Sequence, residues 1–341
     1  LYGATRLKHK LGRHVLGLIP FWHSFMQSVQ LTVRLQVLYY PLMLFLLLLF
    51  VFLPSSESGL SMPVAPAIFE PRWLLLFLIL GLLHIAFMAG WFAMMAHTVR
   101  IKASITQPNS PISATAKEDE ASLATMLKRS LGLQILATFI PGVGRFFAPF
   151  LLGTVLQLTA VLLIIVLADQ SMAALGGIPQ KVIETVSSLK QTATTPEMQK
   201  TLMVMLSSLT PLEHAHLTQS LLMIMAAFGL IAFGYIAFTL WMPLVVSAEI
   251  PVWRSFFKSL KLFLAYPLGV LLLSALPLFG IMTSQVFSWS ENPILAIIAL
   301  FILLLWQVVS ALTPFMFLSK VCPWLLESDS TNKLAALNLR G

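Results

Sequence analysis

The chain has 341 residues, of which 58% are hydrophobic and only 10% are charged. Soluble domains carry roughly a quarter charged residues. This composition therefore excludes an ordinary water-soluble fold and predicts a polytopic membrane protein. In a membrane protein, the net charge of +8 is explained by Lys and Arg in cytoplasmic loops. No nucleic-acid partner is therefore expected. The single cysteine, Cys322, excludes an intramolecular disulfide.

The apolar runs predict an all-α bundle of six spanning helices. Each run has about the 20 residues that a bilayer requires. The predicted spans are 35–53, 73–98, 146–168, 221–245, 262–284 and 293–318. They divide the chain into a cytoplasmic N-terminus with an amphipathic helix (1–34), a first membrane half (35–168), an extracytoplasmic helical loop (169–220), a second membrane half (221–318) and a cytoplasmic tail (319–341).

Lys and Arg are distributed unevenly between the two sides of this arrangement. Of the 21 Lys and Arg residues, 17 fall in 1–34, 99–145, 246–262 and 319–341. Cytoplasmic loops are enriched in these residues, so both ends of the chain are predicted to be cytoplasmic. A seventh span at 131–144 would move Arg254, Lys258 and Lys261 to the opposite side, and it is rejected for that reason.

Residues 131–153 are apolar, but Pro141, Gly142, Gly144, Arg145 and Pro149 interrupt them. Together with the third span the stretch is too long for one helix and short for two. It is predicted to contain an interfacial or re-entrant piece whose backbone groups are satisfied by packing against protein.

The loop 169–220 is predicted to fold as a small helical cap outside the membrane. The segments TTPE (194–197) and TPLE (210–213) each place a Thr three residues before a Glu, which is the pattern of a capping box at a helix start. The second continues into EHAH (213–216). On a helix His214 and His216 would point about 200° apart, so no metal site is expected there.

Two segments of the chain resemble each other. SFMQSVQL (24–31) and SFFKSLKL (255–262) share Ser, Phe, Ser and Leu, and each precedes a Tyr-Pro pair in the next span. A weaker third copy, MLKRSLGL, occupies 126–133. The pattern of one short helix followed by two spans, three times over, suggests gene duplication.

The segment from Trp253 to Leu262 is predicted to be an in-plane amphipathic helix on the cytoplasmic side. Trp253, Arg254, Lys258 and Lys261 are the candidate residues for contact with a lipid headgroup or a partner. The cations are predicted to face phosphate headgroups, and the aromatic side chains to lie opposite them among the acyl chains. A simple topological anchor is the alternative interpretation.

Polar residues within the predicted spans are few. His84, Gln157 and Gln307 are the candidates for an intramembrane polar site. Their alternative role is hydrogen bonding between neighbouring helices. No spacing typical of a nucleophile with its base, a phosphate-binding loop or a metal-binding helix occurs, so no catalytic residue, metal or cofactor is expected.

The segment LWMPLVVSAEIPVWRSFFKSLKLFLAYPLGVLLLSALPLFG (240–280) carries a family resemblance. A span ends near a Pro, one acidic residue follows, and an aromatic and basic helix leads into the next span. This resembles the YciC-type family of uncharacterised bacterial inner-membrane proteins, and is similar to the membrane domain fused to some glycerophosphodiester phosphodiesterases. The resemblance covers about 169–320. It implies a six-span bundle in the bacterial inner membrane and no catalytic residues.

These observations favour a non-enzymatic role in envelope or lipid homeostasis, with membrane lipids as partners and another membrane or envelope protein as a further candidate. Two alternatives stay open. One is a transporter or channel for a lipophilic or amphipathic solute, which needs a cavity lined by His84, Gln157 or Gln307. The other is a lipid-modifying enzyme, which needs polar groups converging around Glu249, Arg254 and Lys258.

Overall fold

A computed structural model of the chain describes residues 2–52, 71–106, 131–192, 195–288 and 293–323. Contacts divide the chain into unit 1, which comprises Leu1–Gly153 and Ile236–Gly341, and unit 2, Thr154–Tyr235. Every regular element in the described ranges is helical. The elements are α1 (Tyr2–Arg34), a 3₁₀ helix (Gln36–Tyr39), α2 (Tyr40–Phe52), α3 (Pro71–Thr106), α4 (131–137), α5 (Phe139–Ala174), α6 (Gln180–Thr192), α7 (Thr195–Ser207), α8 (Pro211–Ala237), α9 (Trp241–Ala248), α10 (Val252–Ala265), α11 (Pro267–Ser288) and α12 (Pro293–Val321).

Within the described ranges, four helical stretches are long and apolar enough to cross a membrane: Leu74–Ala103, Leu131–Ala174, Pro211–Ala248 and Ile298–Val321. Two bent helix pairs raise the number to six if each pair forms one span. Over the described residues the protein is therefore all-helical, with four to six candidate membrane-spanning helices. The choice of six spans, with both ends cytoplasmic, stays a prediction.

Aromatic rings fill the centre of unit 1. The Phe92 ring meets Phe150 and Phe315 edge-on, with ring centroids 5.9 and 5.3 Å apart. Phe150 packs in the same way against Trp241, at 5.6 Å. These contacts join α3, α5, α9 and α12 around side chains that are almost completely buried. Edge-to-face pairs of this kind add to the stabilisation that burial alone provides.

Helices α3 and α5 approach closely because small residues line their contact. A side chain at Gly142 of α5 would collide with Ala93, and would lie 3.3 Å from the carbonyl oxygen of Ala89. On the other helix, a side chain at Gly90 would lie 2.8 Å from the Phe139 ring. Small residues allow the backbones of membrane helices to pack in this way.

Two sharp bends occur in unit 1, each just before an apolar helix. The segment Gly17–Arg34 meets Gln36–Leu48 at 94°, and Val252–Ala265 meets Pro267–Gly280 at 114°. The second bend lies at Tyr266, whose φ of −135° and ψ of 56° are not helical. The residue before a proline is disfavoured in the helical region, so Pro267 explains why α10 ends there.

A buried serine bridges the break between α8 and α9. The Ser259 hydroxyl, from α10, donates to the carbonyl oxygen of Ala237 at 2.8 Å. Its oxygen accepts a hydrogen bond from the Leu240 N–H at 3.2 Å. Ser259 is fully buried, so it satisfies two backbone groups that the helix break leaves without helical partners.

In unit 2, α8 begins at the capping box that the sequence predicts. The Glu213 carboxylate accepts hydrogen bonds from the Thr210 N–H at 2.8 Å and the Thr210 hydroxyl at 2.9 Å. The Glu213 N–H donates to that hydroxyl oxygen at 3.3 Å, and the prediction is confirmed. The other predicted capping box begins at residue 194, outside the described residues.

Helix α5 ends in a glycine pair in the same unit. Gly176 and Gly177 have φ of 95° and 70°, a region that other residues rarely adopt. The Gly177 N–H donates to the Met172 carbonyl at 2.8 Å, which closes the helix end in the manner of a Schellman motif.

The structure differs from the sequence prediction at 131–153. The chain is helical on both sides of a single break at Thr138, and α5 then continues through Pro149. Pro141 does not interrupt the helix because it lies in the first turn, where the backbone N–H has no helical partner to lose. Within the described residues of this stretch, the helix is therefore interrupted at Thr138 and not at the Pro and Gly residues.

Other predictions fall outside the described residues. They concern residues 126–130 of the third repeat copy and 324–341 of the predicted cytoplasmic tail.

Candidate membrane-interface site

Helix α10 presents one face to the interior of unit 1. Val252, Ser255 and Ser259 are buried on that face. Phe256 lies beside them, with its ring centroid 5.1 Å from that of Trp241 and 5.2 Å from that of Phe238. Apolar and hydroxyl side chains at a spacing of three to four residues therefore fix which side of α10 faces outward.

The outer face of α10 combines exposed aromatic rings with cations. Trp253 and Phe257 are 56% and 62% exposed, and their ring centroids lie 6.5 Å apart. The Arg254 guanidinium lies 5.0 Å from the centre of the Trp253 ring, a cation–π distance. Lys261 is exposed as well, one turn beyond Phe257. Aromatic and cationic side chains together are typical of residues at the headgroup level of a bilayer.

This arrangement differs from the sequence prediction, which separates the cations from all the aromatic residues. Phe256 is the aromatic residue that turns inward, because Phe238 and Trp241 form its contact surface. Trp253 and Phe257 remain outside with Arg254 and Lys261. The sequence could not distinguish adjacent Phe256 and Phe257, since the inward ring is fixed by Phe238, just after α8, and by Trp241 of α9.

Lys258 is half-buried and interacts electrostatically with Cys322, which follows α12. Burial raises the pKa of the Cys322 thiol, and the nearby Lys258 charge opposes that rise. Cys322 is only 8% exposed. Lys258 is therefore the member of the predicted cation set that lies nearest the packed interior.

A second polar group lies at the corner between α9 and α10. Glu249 forms ion pairs with Arg145 of α5 and with Arg100 of α3, the latter at 3.8 Å. Arg100 also donates to the Ser247 carbonyl oxygen at 3.1 Å. Glu249 has φ of 51°, unusual for a residue with a side chain, and the two arginines hold it at this corner. Its ion-pair partners are thus these arginines, whereas the enzyme alternative grouped it with Arg254 and Lys258.

No pairing of Arg100 or Arg145 with Glu249 was predicted from the sequence. Both belong to the predicted cytoplasmic segment 99–145, and Glu249 lies in the predicted cytoplasmic segment 246–262. Their predicted location on one side of the membrane indicated that Glu249 could contact these arginines. Spacing along the chain, however, does not predict which residues pair when they lie this far apart. Packing of α3 and α5 against the α9–α10 corner supplies it.

The predicted intramembrane polar residues have separate surroundings. His84 is exposed on α3, with its ring centroid 5.6 Å from that of Phe45 on α2. Gln307 is half-buried on α12, and its amide lies beside Gly280 of α11. Gln157 belongs to unit 2, on the half-exposed surface of α5. The neighbours of His84 and Gln307 differ, so these two side chains do not form a joint polar site.

An apolar groove of about 160 Å³ lies between α2, α3 and α5 in unit 1. Its walls include Leu44 and Leu48 from α2, Leu83 and Phe87 from α3, and Phe139 from α5. A second cavity, beside Arg100, measures about 10 Å³, which is room for about one water molecule. Neither is lined by His84, Gln157 or Gln307, the residues that the transporter alternative requires.

Within the described ranges, no three His, Cys, Asp or Glu residues are grouped as a metal site would need. Comparison of the chain with protein-family models, with curated proteins and with solved structures finds no match.

Proposed function

We propose that this chain is a non-enzymatic protein of the bacterial inner membrane that serves envelope or lipid homeostasis by binding membrane lipids at α10. The supporting observation is the outer face of that helix, where Trp253 and Phe257 are exposed beside Arg254 and Lys261. The aromatic rings suit the boundary between headgroups and acyl chains. The cations suit the phosphates of anionic phospholipids.

Energetic considerations support a preference for anionic lipid. A cation near an anionic leaflet contributes about 1 kcal/mol. Arg254 and Lys261, the exposed cations of this face, would together contribute about 2 kcal/mol, or roughly thirtyfold in affinity. The aromatic contribution is independent of lipid charge. Binding to neutral lipid should therefore persist, but it should be weaker.

The test is native mass spectrometry of the purified protein released from nanodiscs that contain anionic and zwitterionic phospholipids in equal amounts. The variant Arg254→Gln/Lys258→Gln/Lys261→Gln is expected to lose most of its excess of retained anionic lipid. The matched control, Lys181→Gln/Lys190→Gln/Lys200→Gln, removes three cations from the predicted opposite side and should retain the excess. Equal losses in both variants would contradict the assignment to α10.

A flux assay separates this proposal from the transporter alternative. Proteoliposomes that contain the chain should be no more permeable to a fluorescent short-chain phospholipid than empty liposomes. Transfer of that lipid between leaflets would favour a carrier, and the apolar groove at Leu44 and Leu83 would then be the first region to substitute.

A further inference from the structure

Helix α1 contains a second copy of the outer surface of α10. Aligning residue 20 with residue 251 makes six of the twelve positions in 20–31 and 251–262 identical. The shared residues are Pro20 and Pro251, Trp22 and Trp253, Ser24 and Ser255, Phe25 and Phe256, Ser28 and Ser259, and Leu31 and Leu262. The Pro and Trp pairs extend the similarity beyond the segments 24–31 and 255–262.

Burial follows the same alignment. From the Phe21/Val252 pair to the Leu31/Leu262 pair, each aligned pair has the same degree of exposure. Trp22 is 58% exposed and Trp253 is 56% exposed. The aligned serines are all fully buried. The two segments therefore share both a sequence pattern and the division into an inward and an outward side.

The chain continues in a similar way after both copies. Each is followed by a bend, of 94° or 114°, into an apolar helix that carries a Tyr-Pro pair at its start. The first copy reaches its Tyr-Pro pair five residues later than the second, and the 3₁₀ helix Gln36–Tyr39 occupies this insertion. The shared unit is thus an outward-facing helix, a bend and an apolar helix.

The two copies differ in charge. Where α10 carries Arg254, Lys258 and Lys261, the first copy carries His23, Gln27 and Gln30. The exposed apolar residues are kept, since Trp22 and Met26 take the positions of Trp253 and Phe257. The outward surface of the first copy therefore retains the aromatic component of an interface helix without the cations on that face.

We infer that residues 20–31 form a second lipid-binding surface, and that Trp22 and Trp253 lie at headgroup depth in the same leaflet of a phospholipid bilayer. The aligned burial and the matching bends carry this inference. The inference rests on the proposed function of α10. The shared leaflet follows from the predicted topology, which places four spans, an even number, between the two copies. The first copy binds the interface with little dependence on lipid charge, whereas the second prefers anionic lipid.

The depth of both positions can be measured with an environment-sensitive fluorophore. In a Cys322→Ser background, Trp22→Cys and Trp253→Cys are labelled separately with NBD and placed in nanodiscs that contain lipids with a quencher at the 5 or the 12 position of the acyl chain. At both sites, stronger quenching by the 5-position lipid is expected. Ser207→Cys is the exposed control, because it lies in the predicted extracytoplasmic loop, and NBD at that position should be quenched less.

The leaflet is tested with dithionite, a reductant that does not cross membranes. In sealed inside-out membrane vesicles, NBD at both 22 and 253 should be reduced before detergent is added. Reduction at 253 alone would overturn the shared leaflet. Quenching at 253 but not at 22 would overturn the second surface, for instance because another copy of the chain covers Trp22, and would leave the proposed function intact. Quenching at neither position would contradict both.

A charge transplant tests equivalence without relying on labelled variants. The triple substitution His23→Arg/Gln27→Lys/Gln30→Lys is added to Arg254→Gln/Lys258→Gln/Lys261→Gln, and retained anionic lipid is measured by native mass spectrometry. If the copies present equivalent surfaces, the transplant should restore at least half of the lost excess. No restoration in a protein of unchanged helicity would overturn the equivalence.

Discussion

At the scale of single residues, Ser259 has a role that its aligned partner Ser28 does not share. The Ser28 hydroxyl donates to the carbonyl oxygen of Ser24 within its own helix, at 2.8 Å. Ser259 instead reaches the Leu240 N–H and the Ala237 carbonyl across a helix break. Of these two aligned serines, Ser259 bridges a helix break and Ser28 bonds within its own helix.

Ser259→Ala is expected to destabilise the protein by about 1–3 kcal/mol, because a buried backbone N–H loses its hydrogen-bond partner. Ser28→Ala should cost well under about 1 kcal/mol, since the Ser24 carbonyl already has a helical partner. The measurement is thermal unfolding in detergent, followed by helicity. Equal decreases in melting temperature for the two variants would contradict the bridging role.

The single cysteine offers a second prediction at this scale. Cys322 is buried, and burial raises the pKa of its thiol. Since the thiolate is the reactive form, Cys322 should react with a maleimide at pH 7.5 at least tenfold more slowly than a cysteine placed at the exposed position 261. The rate should still be rising as pH passes the ordinary thiol value of about 8.5.

The variant Lys258→Gln tests the cause of this slow reaction. Removing the cation leaves burial unopposed, so the pKa of the Cys322 thiol should rise further and labelling should slow. Lys181→Gln is the charge-matched control. Faster labelling of the Lys258→Gln variant would indicate that Lys258 shields Cys322 sterically.

At the scale of elements, the contact of α3 with α5 depends on Gly142. A methyl group there would collide with Ala93. Gly142→Ala is therefore expected to destabilise the protein by about 1–3 kcal/mol through overpacking. Gly144 lies two residues along the same helix, and a methyl group added there would have no neighbouring atom within 4 Å. Gly144→Ala should be neutral or stabilising by about 0.5–1 kcal/mol, because alanine favours the helix.

Thermal unfolding of both glycine variants, under the same conditions, decides this prediction. Both substitutions add one methyl group and the same intrinsic helix propensity. A difference in stability between them therefore reports the contact with α3. If both variants were stabilised equally, α3 and α5 would have room to move apart, and their close packing would not limit stability.

Some features of these elements could be predicted from sequence, and others could not. The capping box at Thr210 and Glu213 is local, because its hydrogen bonds span three residues. The apolar runs likewise indicate helices directly. Other features depend on contacts between elements. Phe256 faces inward, and Phe257 does not, because Phe256 packs against Trp241 of α9; Glu249 pairs with Arg145, about a hundred residues earlier in the chain. Spacing along one helix carries no information about such partners.

The site was partly predictable for the same reason. Trp253, Arg254, Lys258 and Lys261 do lie together on one helix, as their spacing requires. The alignment of Trp22 with Trp253 was present in the sequence, but Ser, Phe and Leu residues are common in this chain. Agreement of burial along both segments is what distinguishes a repeated surface from a chance similarity.

For the complete chain, the helices limit the number of membrane spans, and the charges predict which segments lie on the cytoplasmic side. Helix length and apolarity give four to six candidate spans. The Lys and Arg distribution predicts six spans, because that arrangement would keep 17 of the 21 cations on one side. Whether four or six spans are counted depends on the two bent helix pairs, which begin in α1 and α10.

Cysteine accessibility tests this topology. In a Cys322→Ser background, single substitutions Ser58→Cys, Ser113→Cys, Ser207→Cys and Ser330→Cys place one thiol in each of four predicted extramembrane segments. Spheroplasts are treated with a maleimide that does not cross membranes, before and after permeabilisation. Positions 58 and 207 should label at once, because their segments carry few cations and are predicted to lie outside. Positions 113 and 330 should label only after permeabilisation. If 330 were labelled together with 58, the number of spans between these two positions would have to be even and not the predicted five. The bent pair that begins in α10 would then be the first candidate for a segment that does not cross the membrane.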